Sequence, residues 1–199
     1  MSDQVFDYKK LLYISLVYSD EDYQRLLENM MILDSSISIY KKIDNKIDNK
    51  IIKLFNTIQM PVEYFDSLIE KLKNEDMFLI KNDKLYKLNS SIHTTILYTG
   101  GKNDARITEL QPHFNSVINI KIKSFAISND FIVAEIEDLN PDIPYYGNPI
   151  KHITIGLKCK KSKKSKLLPM NSPSALCEGV IFPFEEPIIF NGILHPIMK

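Results

Sequence analysis

The sequence predicts an α+β fold built on antiparallel sheets. Most segments with a clear period alternate apolar and polar residues, few segments have helical periodicity, and no strand–helix–strand repeat runs along the chain. The chain has 199 residues, of which 44% are hydrophobic and 25% are charged. It is therefore long enough for one well-formed core, and we expect a single domain.

The chain is predicted to open with a strand and then a helix. Residues 11–18 form an apolar run typical of a mostly buried strand. Ser19 and Asp20 follow as candidate N-caps, and a helix is expected over residues 20–31. Its apolar residues keep the spacing of one helix face. They are Tyr23, Leu26, Leu27, Met30 and Met31.

The next part of the chain combines a less regular stretch, a helix and a hairpin. Residues 42–50 contain the unit Lys-Ile-Asp-Asn twice, which we interpret as a local duplication in a solvated helix or loop. Pro61 is typical of the first residue of a helix, expected here over residues 62–73. Residues 77–88 then predict a hairpin with its turn at 81–83.

The second half of the chain is predicted to be almost entirely β-structure. Its strand segments are separated by turn signals rich in Gly, Pro, Asn and Asp. These segments cover residues 92–99, 117–124, 126–137 and 152–157. The tail, residues 179–198, is apolar but contains Pro183, Pro187 and Pro196, so two or three short strands are expected there.

Two of these strands carry the same motif, a histidine followed two residues later by a threonine. The motifs are His93-Thr94-Thr95-Ile96 and His152-Ile153-Thr154-Ile155. Because residues i and i+2 share one face of a strand, each histidine projects beside its threonine. If the strands lie side by side, two imidazoles and two hydroxyls meet. That set of groups suits the binding and cleavage of a phosphodiester.

The residues around the motifs are interpreted as structural. The other face of each motif strand is expected to be core, namely Ile92, Thr94, Ile96 and Tyr98 in the first and Ile153, Ile155 and Leu157 in the second. His113 and His195 lack a threonine partner and are interpreted as structural or exposed. Cys159 and Cys177 form no C-x-x-C pair, which argues against a zinc site of that kind. Because the sequence shows no secretory signal, we expect both to be free thiols.

Together with the opening strand and helix, the two motifs resemble the 2H phosphoesterase superfamily. Within it, His93-Thr-Thr-Ile-Leu-Tyr and His152-Ile-Thr-Ile-Gly-Leu are most similar to the cyclic phosphodiesterase domain of fungal and plant tRNA ligases. Residues 166–172, Lys-Leu-Leu-Pro-Met-Asn-Ser, are similar to a stretch after its second motif. The resemblance covers residues 11–31 and 91–198, and implies that residues 34–89 are an insertion. It also implies a bilobal fold with two antiparallel sheets around a central cleft.

The resemblance implies hydrolysis of a 2′,3′-cyclic phosphate at an RNA end to a 2′-phosphate, a reaction of RNA repair and tRNA splicing. His93 and His152 would be the acid and the base, in an order that the motifs leave open, and Thr95 and Thr154 would bind the phosphate. No metal or other cofactor is implied. Two alternatives stay open: a 2′,5′-oligoadenylate phosphodiesterase and a non-catalytic RNA-binding or adaptor protein. The oligomeric state is also left open.

The 25 basic and 25 acidic residues cancel, so the net charge gives no argument for an RNA partner. Such an argument depends on local charge. Six lysines lie within residues 158–166, directly after the second motif. Lys158, Lys160 and Lys161 are candidate contacts to an RNA backbone, while a solvated loop is the simpler interpretation and a nuclear localisation signal a third. Tyr145 and Tyr146, before that motif, either stack a terminal base or pack the loop.

The sequence also predicts a protein without a membrane partner. No apolar run reaches the roughly 18 residues of a membrane span. The first ten residues are polar and charged, unlike the apolar core of a signal peptide. We therefore expect an intracellular protein, in the cytoplasm or the nucleus.

Overall fold

The computed structural model describes residues 9–41, 77–82, 84–159 and 169–198. In these ranges, nine strands join through antiparallel pairing into one sheet, accompanied by few helices. The predicted α+β class with antiparallel pairing is therefore confirmed. The predicted helix at residues 62–73 and the repeat at 42–50 lie outside the described residues.

The described elements follow this order along the chain. The first half contains β1 (Leu11–Val17), α1 (Asp20–Leu33), β2 (Ser38–Lys41), β3 (Met77–Lys81), β4 (Lys84–Leu88) and β5 (His93–Tyr98). The second half contains α2 (Arg106–Leu110), a 3-10 turn (Gln111–His113), β6 (Val117–Ile127), β7 (Phe131–Leu139), β8 (His152–Lys158), a 3-10 helix (Pro169–Ser174), α3 (Ala175–Glu178) and β9 (Val180–Met198). The predicted opening and the β3–β4 and β6–β7 hairpins are confirmed.

Helix α1 packs against the core with nearly the same face that the sequence predicts. The Ser19 hydroxyl caps its first turn by accepting the backbone N–H of Asp22 at 3.1 Å. Its buried apolar residues are Tyr23, Leu26, Leu27 and Met30. The prediction for Met31 is wrong, since this side chain is 37% exposed. A helix turns 100° per residue, so Met31 lies about 80° around from Tyr23, at the edge of the apolar face.

The two histidine strands are far apart in the order of the sheet yet close in space. The order is β2-β3-β4-β8-β7-β6-β9-β1-β5, so five strand spacings separate β8 from β5. In a flat sheet, that separation would be about 24 Å. Nevertheless, Cα atoms of the two strands lie within 8 Å of each other. The Tyr146 N–H, in the loop before β8, also donates to the Ile96 carbonyl in β5 at 2.9 Å. The sheet therefore bends back on itself.

The main core lies behind both histidine strands. Ile92 and Ile96 from the first motif strand and Ile153 and Ile155 from the second belong to one buried cluster. The Tyr23 hydroxyl of α1 reaches the Ile155 carbonyl at 3.5 Å, which joins the helix to β8. The back faces of the two motif strands are thus fixed against the same core.

The C-terminal tail forms one long strand, so the prediction of two or three short strands is wrong. Residues 180–183 and 188–193 of β9 pair with β6, and residues 193–198 pair with β1. Between the first two stretches the register shifts, and Pro187 lies in the residues without a β6 partner. Pro183 and Pro187 therefore lie where the pairing with β6 changes, and none of the three prolines ends the strand.

The described part of residues 34–89 extends the main sheet. β4 pairs with β8, β3 with β4, and β2, which the sequence did not predict, with β3. That this region is an insertion stays a prediction.

In the described ranges, no helix combines the length and the apolar character that crossing a membrane requires.

Candidate active site

The bend of the sheet brings His93 and His152 to one site. Each imidazole is half-buried at the start of its strand. Burial lowers the pKa of His93, and the nearby charge of His152 lowers it further. Burial also lowers the pKa of His152, while a hydrogen bond to the Ile150 carbonyl acts in the opposite direction. The two rings are therefore close enough for the charge of one to affect the titration of the other.

The motif threonines lie on the same strand faces as their histidines. Residues 93–97 and 152–156 have the same sequence of burial: half-buried, buried, half-buried, buried, buried. Thr95 and Thr154 are thus the half-buried neighbours of the two imidazoles. The structure places all four predicted groups on strand faces turned away from the main core.

A β-bulge follows the threonine in each motif strand. Thr95 pairs with Ser15, but Ile14 pairs with Leu97, so Ile96 is the extra residue. In the same way Ile155 is the extra residue between two pairs of β7 and β8. A bulge reverses the alternation of faces beyond it. The two bulges are therefore matched in position relative to the histidines.

These bulges explain two wrong predictions about the core. Tyr98 is 69% exposed, and it pairs with Tyr13 on the front of the sheet. Leu157 is half-buried and packs with Phe131 in a second, smaller cluster on the other face. Strict alternation without a bulge would place both side chains in the main core.

A third residue completes the second motif. His152 Nδ1 lies 2.8 Å from the Ile150 carbonyl oxygen, which can only accept, so Nδ1 carries the hydrogen. His152 Nε2 lies 3.1 Å from the hydroxyl of Ser172, and that hydroxyl lies 2.6 Å from the Thr154 hydroxyl. Ser172 is fully buried. No role for Ser172 was predicted from the sequence, although this residue ends the stretch 166–172 that takes part in the family resemblance.

The first motif is held by two tyrosines. The Tyr13 ring stacks on the His93 imidazole with 5.4 Å between ring centres and 23° between planes. Behind the strand, the hydroxyls of Tyr18 and Thr94 are 2.7 Å apart in the core. Burial raises the pKa of Tyr18, so its hydroxyl stays protonated and able to donate. These contacts fix the position and orientation of β5 at the site.

The two tyrosines before the second motif make packing contacts. The Tyr146 hydroxyl donates to the Glu109 carboxylate, and the Arg106 guanidinium lies 5.2 Å from the Tyr146 ring centre. Tyr145 packs against the main core, and burial raises its pKa to about 12. These contacts favour the interpretation that both rings pack the loop over the one in which they stack a base.

The remaining candidate residues lie in different places. The Lys158 ammonium donates to the Asn129 side chain at 3.0 Å, at the β6–β7 turn. Lys160 and Lys161 lie outside the described residues. His195 is half-buried and pairs with Ser15, whereas His113 ends a 3-10 turn. In the described ranges, no three His, Cys, Asp or Glu side chains group together as a metal site requires.

Ser15 lies beside Thr95 in the neighbouring strand, and its hydroxyl is expected to lower the stability of the fold. It pairs with Thr95 on one side and His195 on the other, and its buried hydroxyl has no hydrogen-bond partner in the described part of the chain. A buried, unpaired hydroxyl costs about 1–3 kcal/mol. Ser15→Ala should therefore raise the free energy of unfolding by about 1 kcal/mol in urea denaturation.

Ser124→Ala is the control for that measurement. The Ser124 side chain is also buried, but its hydroxyl donates to Glu135 at 2.9 Å. Its loss should lower the free energy of unfolding by about 1 kcal/mol. If the two substitutions destabilise the protein equally, the idea that the Ser15 hydroxyl is unpaired is wrong.

No family model matches the chain, and no curated protein sequence matches it. The relationship to the 2H phosphoesterases therefore stays a prediction that depends on the two motifs.

Proposed function

We propose that the chain is a 2H-type phosphodiesterase that hydrolyses 2′,3′-cyclic phosphate ends of RNA to 2′-phosphates. The observation that carries the proposal is the meeting of two His-x-Thr strands that are five strand spacings apart in the sheet order. Both strands carry the same burial pattern and a bulge at the same position. We further propose that the bend in the sheet divides it into the two lobes and the cleft of that fold.

The proposed reaction uses the four motif groups directly. One imidazole takes a proton from water, whose oxygen attacks the phosphorus of the cyclic phosphate. The bond between phosphorus and the 3′ oxygen breaks, and the other imidazole protonates that oxygen, leaving a 2′-phosphate and a 3′-hydroxyl. The hydroxyls of Thr95 and Thr154 donate to the non-bridging oxygens as their negative charge increases.

The surroundings of the two rings favour His93 as the base and His152 as the acid. Both burial and the charge of His152 lower the pKa of His93, which favours a neutral His93 beside a protonated His152 when the pair holds one proton. His152 keeps its Nδ1 hydrogen bonded to a carbonyl, a contact that also stabilises the protonated ring. The near symmetry of the sequence motifs did not provide this distinction.

The cysteines fit the intracellular location that we propose for this activity. Cys159 and Cys177 are both free thiols, as the sequence predicted. Burial raises the pKa of the Cys159 thiol to about 12, which keeps it protonated and unreactive. Free thiols are typical of reducing compartments.

One assay tests the proposal against its alternatives. The protein is incubated with a short RNA that ends in a 2′,3′-cyclic phosphate and, separately, with 2′,5′-oligoadenylate, each with and without a chelator. We expect the first RNA alone to be hydrolysed, and ³¹P NMR to show a 2′-phosphate whose yield the chelator leaves unchanged. Hydrolysis of the second substrate alone would support the oligoadenylate alternative. RNA binding without turnover would support the adaptor alternative.

A further inference from the structure

The Ser172 hydroxyl links the His152 imidazole to the Thr154 hydroxyl through a chain of two successive hydrogen bonds. His152 Nε2, Ser172 Oγ and Thr154 Oγ1 are separated by 3.1 and 2.6 Å in succession. We propose that Ser172 is a positioning residue that couples the protonation of His152 to the direction in which the Thr154 hydroxyl donates. The proposal deepens the proposed function, and it rests on that function for its kinetic test.

When His152 is neutral, the hydroxyl hydrogens of Ser172 and Thr154 both point towards the imidazole. Nδ1 carries the hydrogen because it faces the Ile150 carbonyl, so Nε2 is an acceptor. Ser172 has one hydroxyl hydrogen and donates it to Nε2. Its oxygen then accepts the single hydrogen of Thr154. In this state Thr154 has no hydrogen left to donate to a phosphate oxygen.

Protonation of His152 reverses both hydrogen bonds. Nε2 now carries a hydrogen and donates it to Ser172, whose own hydrogen turns towards Thr154 Oγ1. Thr154 accepts that hydrogen, and its own hydroxyl hydrogen is free to point towards the phosphate. Consequently, the protonation of His152 that general-acid catalysis requires also frees Thr154 to stabilise the transition state. When the acid acts, the Nε2 hydrogen leaves its hydrogen bond with Ser172 Oγ and moves to the departing 3′ oxygen.

The surroundings of Ser172 make this coupling specific. Its side chain is fully buried, in the 3-10 helix Pro169–Ser174, which contacts both β7 and β8. Ionisable groups approach His152 from two other strands. His93 approaches it from β5, and Glu135 lies directly opposite in β7. The Glu135 carboxylate already accepts the Ser124 hydroxyl and pairs with Lys123 at 3.0 Å.

The direct test is the NMR titration of the His152 ring nitrogens in the full chain. Wild type is compared with Ser172→Ala and with Ser174→Ala, a control serine of the same 3-10 helix. A hydrogen bond to a charged group is about twice as strong as one to a neutral group, so the loss of Ser172 disfavours the imidazolium more. We expect the pKa of His152 to fall by about half a unit or more in Ser172→Ala and to stay unchanged in Ser174→Ala.

A second variant keeps the test decisive if Ser172→Ala does not fold. Thr154→Val removes the far end of the chain and should lower the pKa of His152 in the same direction by a smaller amount. Ser172→Thr keeps the hydroxyl and should restore the wild-type titration. A wild-type titration of His152 in Ser172→Ala would refute the coupling. If Ser172→Ala does not fold, a wild-type titration in Thr154→Val would refute it instead.

The kinetic test separates this proposal from the proposed function. With a 2′,3′-cyclic phosphate RNA, Ser172→Ala should lower kcat about tenfold and move the alkaline limb of the pH profile to lower pH. Ser174→Ala should do neither. If wild type has no turnover, the proposed function fails, while the NMR titration still decides whether Ser172 couples the two groups. If turnover is normal in Ser172→Ala, the proposed function stands and the role of Ser172 is overturned.

Discussion

Alanine in place of either His93 or His152 is expected to lower kcat/KM for a 2′,3′-cyclic phosphate RNA end by about a thousandfold. General acid–base catalysis by one positioned side chain contributes on the order of 10²–10⁴ in rate. The two imidazoles also act on one phosphate at the same step. The double variant should therefore be little slower than either single variant, because a pair that acts as a unit is lost with its first member.

His113→Ala is the matched control for these variants. His113 is half-buried like the two motif histidines, but it ends the 3-10 turn Gln111–His113 and belongs to no His-x-Thr motif. We expect its kcat/KM to stay within about twofold of wild type, since substitutions away from the reacting groups leave transition-state binding intact. Retention of more than a tenth of wild-type activity by either motif variant would contradict paired-histidine catalysis. Thermal unfolding of each variant checks that folding is preserved.

Local patterns predicted the features that depend on neighbours in sequence. The Ser19 cap and the apolar face of α1 could be predicted because capping and helical period act over a few residues. The pairing of His93 with Thr95, and of His152 with Thr154, on one strand face follows from the two-residue period in the same way.

What the sequence did not predict depends on partner strands and distant segments. Tyr98 and Leu157 left the main core because one residue of a neighbouring strand faces two residues of the motif strand. Nothing in the motif strands themselves encodes that bulge. Ser172 lies 14 residues after the end of β8, in the 3-10 helix Pro169–Ser174, and its hydroxyl reaches His152. No periodic pattern in the sequence connects these two residues.

The long strand β9 shows the same division between local and distant causes. Its prolines predicted interruptions, and pairing with β6 does change around Pro187. The strand continues because β6 pairs with it on both sides of residues 184–187. Further along, β1 pairs with residues 193–198. A proline signal thus marked where pairing changes, while the continuity of the strand depended on neighbours that lie far away in sequence.

The second large effect concerns pH, and kcat/KM is expected to follow a bell-shaped profile. At low pH both imidazoles are protonated and the base is lost, whereas at high pH neither is protonated and the acid is lost. The rate should fall about tenfold per pH unit on each side. The two limbs report macroscopic pKa values of the pair.

The direction of both pKa shifts places this profile on the acidic side. Burial lowers the pKa of both rings, and the charge of His152 lowers that of His93 further. An ordinary histidine titrates at about 6.5, so the acid limb should lie below that value and the maximum of kcat/KM below neutrality. A bound phosphate is anionic and stabilises both imidazolium ions. The maximum of kcat, which reports the complex, should therefore lie at higher pH than the maximum of kcat/KM.

Variants that retain some activity test which ring sets which limb. Glutamine at position 93 removes the base, so the residual activity of His93→Gln should lose the acid limb and keep the alkaline one. His152→Gln should show the reverse, because it lacks the acid. Initial rates of RNA hydrolysis from about pH 4.5 to 9 measure both profiles. A flat wild-type profile between about pH 5 and 9 would rule out the paired histidines, and an exchange of the two limbs would make His152 the base and His93 the acid.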